Sequence, residues 1–336
     1  MRRTLSLTLG ILLACATIAT ASNNKKKKEN TKEGYVFTEL KRLPNTSVKS
    51  QDRAGTCWSW STVSFLESEI MRLGKDSVSL SPMYIVWNTY DEKANKYVRM
   101  HGCMNFGQGG ASADVTWAIK NYGIVPLEVY KGLNYGEKVH AHGELDAILK
   151  AYADVIVKNP NRKISTAWKR GYDAILDAYL GSKPEKFTFR GKEYTPMSFY
   201  KEATGLNMDD YISLTSFTHH PFYTQFAVEV PDNWIGEMSY NLPLDELMDV
   251  LDKAIDNGYT FSWGSDVSET GFLRDGIAII PDIENVETKD AEIAKWVKMN
   301  KTDKQAKLAE KPVVQKQITQ EMRQEAFDNY ETTDDH

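Results

Sequence analysis

The stretch Gln51-Asp52-Arg53-Ala54-Gly55-Thr56-Cys57-Trp58-Ser59-Trp60 constrains this chain most, because it sets a cysteine at the head of an amphipathic run. Val63, Phe65, Leu66, Ile70 and Leu73 follow at roughly helical spacing and Gly74 ends the run, which predicts a helix beginning near Cys57. Unpaired backbone N–H groups and the helix dipole favour negative charge at such an end, so a cysteine there is placed as a nucleophile. Gln51 carries an amide that can donate to an oxygen turning negative during attack on a carbonyl, and the Cys57 backbone N–H can be the second donor. Both parts of an acyl-transfer site then lie in one segment.

With 336 residues, 41% hydrophobic and 26% charged, the sequence reads as an ordinary globular protein of one large domain or two. Its net charge of −5 argues against a nucleic-acid surface, which needs a basic patch to displace phosphate counterions. The dense basic run Lys25 to Lys28 sits in a polar leader and reads as a solvated linker. Ahead of it, Arg2 and Arg3, an apolar run from Leu5 to about Ile18 and the small-residue pattern Ala19-Thr20-Ala21 predict a secretory signal peptide over residues 1–21. Leu12-Leu13-Ala14-Cys15 also resembles a bacterial lipobox, so membrane attachment through a lipidated Cys15 stands as a second processing route. Either route predicts export, to the periplasm, the cell envelope or the medium. A disulfide between the remaining Cys57 and Cys103 would consume the nucleophile, so both are expected as free thiols.

Downstream, Ser81-Pro82 predicts a capped helix start, and Asn105-Phe106-Gly107-Gln108-Gly109-Gly110 precedes a helix expected over Ser112 to Tyr122. Paired glycines let a ligand backbone approach closely. Helices are expected over Leu145 to Val157, Ala167 to Leu180 and Met197 to Leu206, with a hairpin turning at Gly191 between the last two. Nothing in this block looks catalytic. A short strand-like start is read in Gly34 to Ser50 and a strand at Tyr259 to Asp266, with further helices over Leu242 to Ile255, Asp282 to Lys301 and Gln315 to Asn329. His101, His140, His142, His219 and His220 lack partners at zinc-ligand spacing and are read as surface or satisfied histidines, with no metal site.

Gln51, Cys57-Trp58, Ser59 and the aromatic Trp60 together resemble the papain-like cysteine peptidases. The chain lacks the Cys-Gly-Ser/Ala-Cys run of the papain and cathepsin type, and so looks like the bleomycin hydrolase/aminopeptidase C branch. Leu80-Ser81 opening the next helix, the Gly109-Gly110 pair and Gly123-Ile124-Val125-Pro126 agree with that likeness. The resemblance implies an α+β papain-like fold with a large helical insertion and an incomplete barrel-like domain. It implies a helical domain over 35–130 after a linker at 22–34, an insertion over 131–234 and the start of the barrel over 235–336. It further implies Cys57 as nucleophile, Gln51 as oxyanion donor, and Gly109, Gly110 and Trp58 along a substrate cleft. His336, after Asp335, matches the family's base, although it lies much farther from Cys57 than the roughly 130–150 residues of the papain pattern. Beyond that histidine the family has further strands, an Asn that orients the imidazole and a tail that captures the substrate's N-terminus. The chain as given is therefore expected to be weakly active or inactive. The implied activity is peptide hydrolysis, most of all as an aminopeptidase, with an endopeptidase or a non-catalytic surface peptide-binding protein as alternatives. Peptides are the implied partners, a homo-oligomer the implied assembly, and no cofactor is implied.

Overall fold

The computed structural model describes residues 34–161, 163–265, 267–273, 276–282, 295–310 and 312–331. The signal segment, Cys15, the Lys-rich leader and His336 lie outside the described residues.

Helix α1 (Cys57–Arg72) begins at the cysteine, as its apolar spacing predicts. Helix α2 (Pro82–Arg99) starts where Ser81 caps it: the Ser81 side chain accepts from the Tyr84 N–H at 3.1 Å, with proline in the first turn. Met83, Tyr84, Ile85, Val86 and Trp87 are consecutive and all buried, so α2 is enclosed on every side rather than on one stripe. It packs against α1, α3 (Ser112–Tyr122), α4 (Gly143–Val157) and α5 (Ala167–Leu180). The main core, including Leu66, Ile70, Ile119, Leu145, Tyr172 and Leu176, collects around it.

The hairpin β1 (Phe187–Phe189) and β2 (Lys192–Tyr194) pairs Phe187 with Tyr194, its turn formed by Arg190 and Gly191, both at positive φ. The helix expected after it is only α6 (Pro196–Phe199), which continues as a π-helical turn over Tyr200–Thr204. Strands β3 (Ser213–Thr215), β4 (Gln225–Ala227) and β5 (Met238–Asn241) form a mixed sheet ordered β3-β5-β4. Its corner is fixed by fully buried Asn241, whose amide donates to the Phe217 and His220 carbonyls while its oxygen accepts from the Phe217 N–H at 2.8 Å. Helix α7 (Leu244–Asp256) follows, and α8 (Lys301–Glu310) and α9 (Gln320–Asp328) come late in the chain. Leu308 of α8 joins Leu273 and Ile279 in a small second core. Among the described residues no helix is long and apolar enough to cross a membrane.

Other expectations change as well. Residues 34–50 contain no strand and run as an extended arm with Val36, Phe37, Leu40 and Val48 exposed. The described part of Tyr259 to Asp266 is not a strand either: Ser262 docks by its hydroxyl on Thr62 of α1 and Ser112 of α3 at 3.2 and 3.0 Å, so side chains take the place of a ladder. Most of the helix expected at Asp282 to Lys301 lies outside the described residues, and helix α9 begins later than expected because Gln315 forms a bridge with Pro281.

The arm leading to the cysteine is anchored by Glu67, buried in α1. Its carboxylate accepts from Lys49 at 2.7 Å, from the Thr46 hydroxyl and from the Leu80 N–H at 2.7 Å. Removing it strands a backbone donor and a largely covered ammonium. Glu67→Ala is expected to cost about 2–4 kcal/mol of stability in urea unfolding, and Glu67→Gln, which keeps an acceptor, about half as much. Equal stability of the two variants and the parent would show that the arm is not held here.

Candidate active site

Cys57 is the first residue of α1 and is solvent-exposed. No side chain caps this helix, and among the described residues the Cys57 backbone N–H has no intramolecular partner. An anion at this point would meet an open donor and the positive end of the helix. Below, the Thr56 hydroxyl accepts from Trp60 Nε1 at 3.1 Å and fixes the first turn from inside.

Gln51, half-buried, opens the turn that ends at Cys57, and its carbonyl accepts from the Ala54 N–H at 3.3 Å. Asp52 adopts a left-handed φ of 55°, a conformation that aspartate tolerates better than most residues. Its carboxylate accepts from the His140 N–H at 3.0 Å. Arg53 completes the junction: its N–H donates to the His140 carbonyl at 2.9 Å and its carbonyl accepts from the His142 N–H at 3.3 Å. The segment at His140 to His142 thus grips the turn between Gln51 and Cys57, a role the sequence did not suggest.

The glycine loop lies against the same segment. Gln108 Oε1 accepts from the Gly55 N–H at 2.8 Å, and the Gln108 carbonyl accepts from Trp58 Nε1 at 3.0 Å. Any Cβ on Gly55 would press on the Gln108 side chain, which explains that glycine inside the motif. The glycine pair also has a packing reason. A Cβ on Gly109 would overlap the Asp232 carboxylate, and one on Gly110 would enter the Trp58 indole and the Asp114 carboxylate. The missing side chains therefore let the loop lie flat on the protein. Trp58, expected along the cleft, is 6% exposed and supports the loop from beneath.

Three successive loop carbonyls are turned inward: Lys93 Nζ binds those of Gly107 (3.1 Å) and Gly109, and Trp58 binds that of Gln108. The Ala111 N–H donates to Asp114 Oδ2 at 2.8 Å. Among the described residues, the peptide N–H and C=O of Gly110 itself take no part in an intramolecular hydrogen bond. They are the groups left for an extended ligand. Burial pushes the Asp114 carboxyl up to about 6, against the pull of the Ala111 N–H and Lys93, and lowers Lys93 from its usual range.

Cys57 and Cys103 are both free and exposed, Cys103 in a loop beside His101. Among the described residues no three His, Cys, Asp or Glu side chains gather as a metal site. His140 and His142 correct the sequence reading, since both are buried and neither Nδ1 atom has a partner. Their rings meet edge-on 5.7 Å apart, and Trp60 lies 5.6 Å from His140. Alternating apolar neighbours could not reveal this, because the backbone of the pair is used by the Asp52–Arg53 turn.

A Peptidase C1-like family model matches residues 99–311. Aminopeptidase C of Lactobacillus delbrueckii subsp. lactis is 24% identical over 272 residues, covering 69% of this chain and 61% of the relative. Aminopeptidase C of Streptococcus thermophilus is 24% identical over 277 residues, covering 70% and 62%. Among solved structures, PepW from Lactobacillus rhamnosis matches with a TM-score of 0.52 at 24% identity, over 65% of this chain and 58% of that one, and shares its fold. The chain thus spans under two thirds of the length of these relatives.

Acid should act on the histidine pair. Burial, with His140 nearby, lowers His142 to about 4, so folded His142 stays neutral while the unfolded chain takes up a proton below its ordinary value near 6.5. Stability should fall as pH drops from about 6.5 towards 4, by a few kcal/mol at most, and His142→Leu should flatten this slope when urea midpoints are measured from pH 7 to 5. Parallel slopes in the two proteins would exclude the pair as the cause. With a cysteine-headed helix, a glycine loop bonded to it and a matching model over most of its length, the chain belongs to the Peptidase C1-like family.

Proposed function

We propose that the protein is a cysteine-type peptidase, and an aminopeptidase of the aminopeptidase C and bleomycin hydrolase kind. The observation that supports this most is the junction itself: an exposed Cys57 at an uncapped helix N-terminus, bonded through Gly55 and Trp58 to a loop whose Gly110 keeps its peptide groups available. On this reading the substrate lies extended along Gly110, as an added strand would. The Cys57 thiolate attacks the scissile carbonyl, and the resulting oxyanion lies between the Gln51 amide and the Cys57 N–H. Collapse expels the amine, which takes its proton from the imidazolium of His336, and leaves a thioester on Cys57. Water, deprotonated by the same imidazole, then releases the acid.

The decisive test uses fluorogenic aminoacyl amides with a free α-amine beside N-blocked peptides of the same residue. Turnover of the free-amine substrate that disappears in Cys57→Ala, falls about 100-fold or more in Gln51→Ala and is weak on the blocked series supports an aminopeptidase. Preference for the blocked series would make it an endopeptidase. Binding of peptides without Cys57-dependent turnover would leave a peptide-binding protein. Limited alkylation at mildly acidic pH should mark Cys57 ahead of Cys103, and the reverse order would remove Cys57 as the nucleophile.

We also propose export, on the basic, apolar and small-residue pattern of residues 1–21. Mass determination of the mature N-terminus should find Ser22, or a lipid-modified Cys15 that fastens the protein to the envelope. An intact Met1 on a cytoplasmic protein would contradict it.

A further inference from the structure

Among the described residues Lys93 is the largest charged side chain that is buried, 1% exposed within α2. Taking an ammonium out of water costs several kcal/mol unless its donors are well matched. Here its acceptors are two carbonyls of one loop, those of Gly107 and Gly109, with the face of Trp234 5.7 Å away. Asp114, Asp232 and Asp146 contribute negative field at the ammonium. No ion pair with Lys93 forms among the described residues. A hydrophobic side chain would fill this place at lower cost, so the cation is retained for what it does to the loop.

We propose that Lys93 is the positioning residue of the substrate cleft, a reading that rests on the peptidase assignment above. Its ammonium turns the Gly107 and Gly109 carbonyls inward, and Trp58 does the same to the carbonyl between them. Three consecutive peptide oxygens are thereby withdrawn from the cleft, and the edge presented outward is that of Gly110. Segment 232–234 from the insertion closes the arrangement from outside. The Trp234 carbonyl accepts from Lys96, one turn along α2, and Asp232 accepts from Asn105 at 3.1 Å. Lys93 touches neither the substrate nor the sulfur, and it acts through the orientation of two peptide planes.

The test compares two alkylating reagents on the 336-residue protein. Iodoacetamide needs only the sulfur, whereas a dipeptidyl chloromethyl ketone also needs the backbone edge of the cleft. In the parent the dipeptidyl reagent should modify Cys57 with clear saturation and a far higher rate than iodoacetamide. Lys93→Met should raise its half-saturation concentration about 10-fold, with the iodoacetamide rate within about 2-fold of the parent. Lys93→Gln, which can still hold one carbonyl, should fall between the two and serves as the test if the Met variant does not fold. Parent-like saturation in a folded Met or Gln variant would overturn the role of Lys93 while leaving the cleft intact. A parent protein without preference for the dipeptidyl reagent would instead overturn the cleft reading, and this inference with it.

Discussion

Both oxygens of Gln108 are bonded by the segment that carries Cys57: the side-chain oxygen by the Gly55 N–H and the main-chain oxygen by the Trp58 indole. This double attachment makes one object of two stretches about fifty residues apart in the chain. Helix α1 and the glycine loop then move together, which matters to the proposed chemistry because proximity catalysis is sensitive to displacements near 1 Å, which can cost ~100-fold. Everything else at the site serves to hold that object in place. Glu67 anchors the arm before it, Lys93 supports the loop from α2, and the His140–His142 backbone grips the turn at Asp52 and Arg53.

Much of the helical part was legible because its signals are local. Cys57, Pro82 after Ser81, and Ser112 each begin a helix where capping residues and apolar spacing placed it, and Arg190-Gly191 turns the hairpin. The failures share a cause. A strand exists only if another chain segment pairs with it, and neither the arm at 34–50 nor the described part of Tyr259 to Asp266 has such a partner, whatever its alternation. The polar interior was equally hidden: Lys93, Asp114 and His142 look like surface residues until the loops that cover them are known. A double glycine is ambiguous in the same way, and here its missing side chains make room for Trp58 and Asp232.

Segments 140–142 and 232–234, whose sequence suggests no chemistry, each touch one half of the site. His140 and His142 hold the turn at Asp52 and Arg53 through their main chain, and Asp232 and Trp234 lie over the glycine loop. Their side chains carry a cost that differs in kind. Buried imidazoles without partners oppose protonation, whereas buried Lys93 opposes the loss of its carbonyl acceptors. The first makes the turn sensitive to acid, and the second makes the loop rigid.

The central claim is geometric: a peptide held on Cys57 runs along Gly110. A crystal structure of the Cys57 adduct of a dipeptidyl chloromethyl ketone tests it most directly. The account predicts the ligand's backbone N–H and C=O within about 2.7–3.2 Å of the Gly110 carbonyl and N–H, with the Gly107 and Gly109 carbonyls still on Lys93. A ligand backbone directed away from Gly110, or bonded to the carbonyls now held by Lys93 and Trp58, would contradict it.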